Sequence, residues 1–145
     1  SMANRAIENS IHSRRFSALG KRKTVITEHY VEGYKSDLFI SDTSTVIEIK
    51  SVLSTEDTAQ FPTVFSERTL KQLEKIQNLM TKGYKVHYII VSLNPYVKAI
   101  KIIQDTQFAK QFSSCYENGM SISAYSCRLE NASVFIEREI PIFIE

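Results

Sequence analysis

Two β-like runs joined by one short turn constrain the fold of this chain more than any other feature. They are Tyr34-Lys35-Ser36-Asp37-Leu38-Phe39-Ile40 and Thr45-Val46-Ile47-Glu48-Ile49-Lys50, both rich in β-branched or aromatic residues. Side chains alternate faces along a strand. Glu48 and Lys50 therefore share one face, and Ile47 and Ile49 take the other. The turn Ser41-Asp42-Thr43-Ser44 folds the first strand back beside the second and brings Asp37 near Glu48. The rest of the chain has to be arranged around this antiparallel pair.

Asn4 to about Phe16 reads as a helix, with Ile7 and Ile11 on one face and Glu8, His12 and Arg15 on another. Thr24 to Val31 alternates as a strand, and Glu32-Gly33 links it to the Asp37 strand as a hairpin. Val52 to Ser66 reads as irregular. Leu70, Leu73, Ile76 and Met80 recur at helical spacing, so a helix is expected from Thr69 to about Lys82, stopped by Gly83. Lys85 to Ser92 is an almost unbroken apolar run, as in a buried central strand. A helix from about Thr106 to Glu117 and a strand from Ser121 to Leu129 follow. Val134 to Ile144 is strand-like, and Pro141 puts at least that part at a sheet edge. The order is helix, three strands, helix, strand, helix, strand. It implies an α/β protein with a mixed central β-sheet flanked by helices on both faces.

At 145 residues the chain is expected to be a single domain over 1–145. A net charge of +2 neither demands nor excludes a polyanionic partner. Cys115 and Cys127 are not spaced as a metal motif or a redox pair, so a reducing, cytoplasmic compartment is the simpler expectation. No apolar run is long enough to span a membrane. There is no phosphate-cradling glycine loop and no nucleophile elbow, which argues against ATP use and serine-type hydrolysis. His87, inside an apolar strand, reads as a core histidine.

Asp37, Glu48 and Lys50 are the candidate catalytic set. Hard divalent ions such as Mg²⁺ favour carboxylate oxygens, and adjacent carboxylates repel until a cation lies between them. A bound ion polarises a phosphoryl oxygen and acidifies water. Lys50 can orient that water or stabilise negative charge on the phosphate. Glu-x-Lys on a strand is also a common solvated salt-bridge pattern. Glu8 on the first helix is a further candidate ligand, or a carboxylate favourable to the helix dipole. Glu28 on the first strand is a weaker one. Arg68, Lys71 and Gln72 lie on the helix side away from Leu70 and Leu73, where they can clamp phosphates. Lys75 reads as part of a solvated face. Arg14, Arg15, Lys21, Arg22 and Lys23 form a basic run suited to a phosphate backbone.

Taken in order, Ser36-Asp37, Ile47-Glu48-Ile49-Lys50-Ser51-Val52, Phe61-Pro62 and Glu67-Arg68-Thr69-Leu70-Lys71-Gln72-Leu73 resemble the sugar fermentation stimulation protein A family. Tyr88-Ile89-Ile90-Val91 and Gly119 to Tyr125 fit the same pattern, so the resemblance covers about 4–129 and leaves 130–145 as an extra strand-like segment. It implies a restriction-endonuclease-like PD-(D/E)XK core with αβββαβ order. That family usually carries a small β-barrel ahead of this core, which these residues lack. By resemblance Asp37 and Glu48 are metal ligands, Lys50 is the catalytic lysine, and Glu8 matches the acidic residue of the fold's first helix. Ser36 stands where the fold's motif has proline. Thr63, Thr69 and Gln72 stand where the family pattern has Asp, Gly and His.

The leading expectation is thus a metal-dependent nuclease acting on DNA or RNA. Mg²⁺ or Mn²⁺ would be held by Asp37, Glu48 and the main-chain carbonyl of Ile49, with Glu8 as a further ligand. A second reading is a DNA-binding regulatory module linked to sugar metabolism that keeps the fold with little or no turnover. A third is an interaction domain in which Asp37 and Glu48 merely face solvent, far apart or on opposite faces. A homodimer is compatible with the sequence.

Overall fold

The structure, a computed structural model, describes residues 1–12 and 24–145. Helix α1 (Met2–His12) comes first, then strands β1 (Val25–Val31), β2 (Tyr34–Ile40) and β3 (Thr45–Val52). A short strand β4 (Thr58–Gln60) precedes helix α2 (Glu67–Thr81). Strands β5 (Lys85–Ser92) and β6 (Ala99–Ile102) lead to helix α3 (Gln107–Glu117). Strands β7 (Ser121–Glu130), β8 (Ser133–Ile140) and β9 (Ile142–Ile144) complete the chain.

Six strands form one mixed sheet in the order β1-β2-β3-β5-β7-β8. The hairpin pairs β1–β2, β2–β3 and β7–β8 are antiparallel, whereas β3–β5 and β5–β7 are parallel. Parallel neighbours need a crossover, and the segments carrying α2 and α3 supply the two that are required. At the β1–β2 turn both Glu32 (φ 50°) and Gly33 (φ 81°) are left-handed, the twist that a two-residue hairpin demands. Strand β5 is buried from Val86 to Ser92, as its apolar run led us to expect.

Alternation sorts the core into two layers. Val46, Val52, Tyr88 and Ile90 pack with Leu73, Ile76 and Leu79 of α2 and with Phe108 and Phe112 of α3. Ile47, Ile49, Ile89 and Val91 point the other way, onto Ala3, Ala6 and Ile7 of α1. Burying each such aliphatic side chain contributes roughly 1.5–3 kcal/mol, which anchors the helices to both faces. Ser66 caps α2 by accepting from the Thr69 amide, and Thr106 caps α3 by accepting from that of Ala109.

Three expectations need correction. The segment 52–66 is not wholly irregular, because it contains β4. Ala99–Ile102 forms a strand that its sequence pattern does not announce. The run from Val134 to Ile144 is not one strand but two, divided at Pro141, which has no amide hydrogen to continue a ladder. Strand β8 ends the large sheet, and β9 joins a separate three-stranded parallel sheet, β4-β6-β9. Both strands do lie at edges. The expected extension of the first helix to Phe16 lies outside the described residues. Among the described residues no helix is long and apolar enough to cross a membrane.

Candidate active site

The β2–β3 ladder holds Ile40↔Thr45, Phe39↔Val46 and Leu38↔Ile47, and then stops. One residue further on, Asp37 Oδ2 accepts a hydrogen bond from the Ile49 amide at 2.8 Å. A carboxylate has taken the place of a main-chain acceptor. The N–H and C=O of a strand residue point to the same side, so the Ile49 carbonyl also faces the Asp37 edge, beyond the paired part of the ladder. The buried Ser36 hydroxyl bonds the Leu38 carbonyl, closing β2 on itself where it leaves β3. On the other side of β2, the pairs Thr27↔Leu38 and His29↔Ser36 put Glu28 opposite Asp37. Glu28 is left-handed at φ 50°, an unfavourable conformation for a residue with a side chain, and such strain gathers at functional sites.

Glu48 is 4% exposed. Its Oε1 accepts the hydroxyl hydrogen of Tyr34, and its Oε2 lies 3.3 Å from Lys50 Nζ. Lys50 Nζ also donates to Gln72 Oε1 of α2 at 2.6 Å. Burial, and after it the charge of Asp37, pushes the Glu48 carboxyl up to about 7, against the opposing pull of Lys50 and Tyr34. Burial and the nearby Glu48 raise the Tyr34 phenol well above its ordinary value. Tyr88, paired in register with Glu48, is fully buried, and its hydroxyl has no hydrogen-bond partner.

Tyr34, Asp37, Glu48, Ile49 and Lys50 floor a cleft of about 770 Å³. One wall is α2, which presents Arg68, Lys71, Gln72 and Lys75; the β1–β2 hairpin contributes Glu28 and Lys35. Asp37, Glu48, Lys50, Arg68, Lys71 and Gln72 are therefore brought together as expected. Lys75 is exposed, as the solvated-face reading had it, and also lines the cleft. The reading that set Asp37 and Glu48 apart does not describe this molecule. Tyr34 and Lys35 were not foreseen in the site.

Glu8 is not brought to it. Helix α1 buries Ala3, Ala6 and Ile7 against the opposite layer, and half-buried Glu8 does not line the cleft. Among the described residues no three acidic, histidine or cysteine side chains group as a metal cluster. The basic run Arg14, Arg15, Lys21, Arg22 and Lys23 lies outside the described residues. His87 is a satisfied core histidine, bonded to Ser123 at 2.8 Å on the layer away from the cleft. Both cysteines are buried thiols.

The donor set fits a hard divalent ion. It offers two repelling carboxylates, one of them held largely out of water, and a main-chain carbonyl outside the ladder. Ligands of this kind leave several positions to water, as Mg²⁺ prefers.

The family model described as the sugar fermentation stimulation protein RE domain matches residues 1–133. A sugar fermentation stimulation protein homolog of Pseudoalteromonas atlantica is 24% identical over 101 residues, covering 68% of this chain and 43% of that one. The Ruminiclostridium cellulolyticum homolog is 26% identical over 118 residues, 79% of this chain and 49% of its own. The chain thus spans about half the length of these relatives. The structure of Pyrococcus furiosus SfsA in complex with Ca²⁺ superposes with a TM-score of 0.82 at 20% identity, covering 97% of this chain and 63% of that one. At that identity the likeness establishes the fold.

Proposed function

Because the chain belongs to the sugar fermentation stimulation protein family, we propose that its cleft hydrolyses phosphodiester bonds of DNA or RNA, with Mg²⁺ or Mn²⁺ as cofactor. One observation carries this reading. Asp37 and Glu48 sit side by side next to the Ile49 carbonyl, with Lys50 fixed on the same face between Glu48 and Gln72. A module that only binds nucleic acid gains nothing from two carboxylates where phosphates must approach. The relative from Pyrococcus furiosus was solved in complex with Ca²⁺, which supports a divalent ion as the cofactor.

Asp37, Glu48 and the Ile49 carbonyl would hold the ion. When bound, it would supply a Lewis acid for the phosphoryl oxygen and a more acidic water. Lys50 orients the attacking water and stabilises the negative charge that grows on the phosphate. Gln72 holds the ammonium in one place, so little reorganisation is needed as the charge develops. Arg68, Lys71 and Lys75 line the wall past which the backbone runs and contact its phosphates. Tyr34 keeps the Glu48 carboxylate oriented.

The test is cleavage of single- and double-stranded DNA and RNA with Mg²⁺ or Mn²⁺, comparing wild type with Glu48→Ala and Lys50→Ala. Loss of metal-dependent cleavage in both is expected. Unchanged activity in both would overturn the assignment, and salt-sensitive binding without any cleavage would favour the regulatory module.

A further inference from the structure

A second groove, of about 530 Å³, opens beside the cleft. Strand β3 runs into both: Glu48 to Lys50 line the cleft, and Val52, with Leu53 and Ser54 just beyond the strand, line the groove. At about 3.3 Å per residue, Leu53 lies about 10 Å along the chain from Lys50. The other wall is the small sheet. Its register aligns Gln60, Lys101 and Phe143 as one row across β4, β6 and β9, and all three line the groove. Their strand neighbours Ala59 and Ile100 are buried in the core, so alternation turns the row outward. Phe143 is 47% exposed. Among the described residues Lys101 forms no ion pair.

We propose that this row is a platform for an unpaired nucleotide of a strand whose backbone continues into the cleft. The inference rests on the phosphodiester-hydrolase reading of that cleft. Phe143 stacks on the base, Lys101 meets a phosphate, and the Gln60 amide faces the base edge. Glu56 and Glu145 also line the groove and repel phosphate, which confines the anionic contact to Lys101. A duplex keeps its base faces stacked inside, so only a single strand or an unpaired end can use the ring. Leu53, 75% exposed, adds a second apolar surface suited to a base. Single-stranded nucleic acid is therefore the substrate class this surface selects.

The test is fluorescence anisotropy of a labelled single strand and of its duplex, in EDTA so that nothing is cut, using the full chain. Wild type is expected to bind the single strand more tightly. Phe143→Ala should weaken single-strand binding roughly tenfold, Phe143→Trp should restore it, and duplex binding should not change. Lys101→Ala should weaken single-strand binding and lower its salt dependence by about one phosphate contact. Preference for the duplex, or single-strand affinity unmoved by Phe143→Ala, overturns the platform. So does a Phe143→Ala variant whose oligomeric state changes while its single-strand affinity does not, since the groove then serves a protein contact. Cleavage with Mg²⁺ is measured in parallel. Cleavage by a wild type whose binding ignores Phe143 overturns the platform alone; Phe143-dependent binding with no cleavage overturns the hydrolase alone.

Discussion

Tyr34 and Glu48, fourteen residues apart in sequence, meet through a buried hydrogen bond from the phenol to carboxylate Oε1. That bond fixes one oxygen of the residue best placed to hold a cation and leaves the other on the Lys50 side. Partners of metal-binding groups typically change metal affinity by about 10–100-fold when removed. Tyr34→Phe should lower Mn²⁺ affinity by that order, read by calorimetry in the absence of nucleic acid. Stability should fall as well, by about 1–3 kcal/mol, because a buried carboxylate oxygen loses its donor. Unchanged Mn²⁺ affinity would remove Tyr34 from the site.

The elevated Glu48 carboxyl has a pH signature. Its folded value, about 7, stands above the ordinary 4.5, so between those values the folded state binds more protons than the unfolded one. The resulting penalty is absent below pH 4.5, grows as pH rises, and is complete above about 7. Glu48→Gln should therefore gain stability relative to wild type across that window, measured by urea unfolding on both sides of it. Mn²⁺ binding to wild type should strengthen over the same range as the competing proton leaves. A stability difference flat with pH would contradict the burial argument.

In the proposed reaction Gln72 would act through Lys50. Gln72→Ala releases the ammonium from its 2.6 Å acceptor, and small misplacements of a catalytic group cost up to about a hundredfold in rate. The expected result in steady-state cleavage assays is a kcat lowered roughly tenfold or more, with KM little changed. Gln72→His, which restores an acceptor, should recover much of the rate. An equal loss in both variants would mean that Gln72 does not act by positioning Lys50.

His87 gives the opposite dependence. Burial lowers it to about 4 from 6.5, so the folded state resists a proton that the unfolded chain accepts. Its contribution is intact above pH 6.5 and is lost as pH falls toward 4. His87→Gln should flatten the decline of melting temperature in that range; an unaltered slope would place the acid sensitivity elsewhere.

Much of this site was legible because period-two alternation is a local signal. It placed Glu48 with Lys50, and a four-residue turn placed Asp37 beside them. Leu73 and Ile76 likewise revealed the buried face of α2, which Leu79 completes. The small sheet was not legible. Thr58-Ala59-Gln60 is too short to show a period, and its pairing with Ala99–Ile102 is decided by packing over Phe61 and Phe108. Tyr34 looked like any strand aromatic, since nothing local says that its hydroxyl ends on a carboxylate. Glu8 was misplaced for a related reason. Helical spacing shows which residues share a face but not which side of the sheet receives it, and Ile7 carried α1 to the far layer.

Pro141 has a mechanical consequence. It is the single residue between Ile140, paired to β7 in the large sheet, and Ile142, paired to β6 in the small one, and its carbonyl is itself tied to the Ile100 amide. No slack remains between the two sheets at this joint. The small sheet is thus joined to the edge of the large one without a linker, so at this joint the two behave as one frame and neither can swing away without breaking its own ladder.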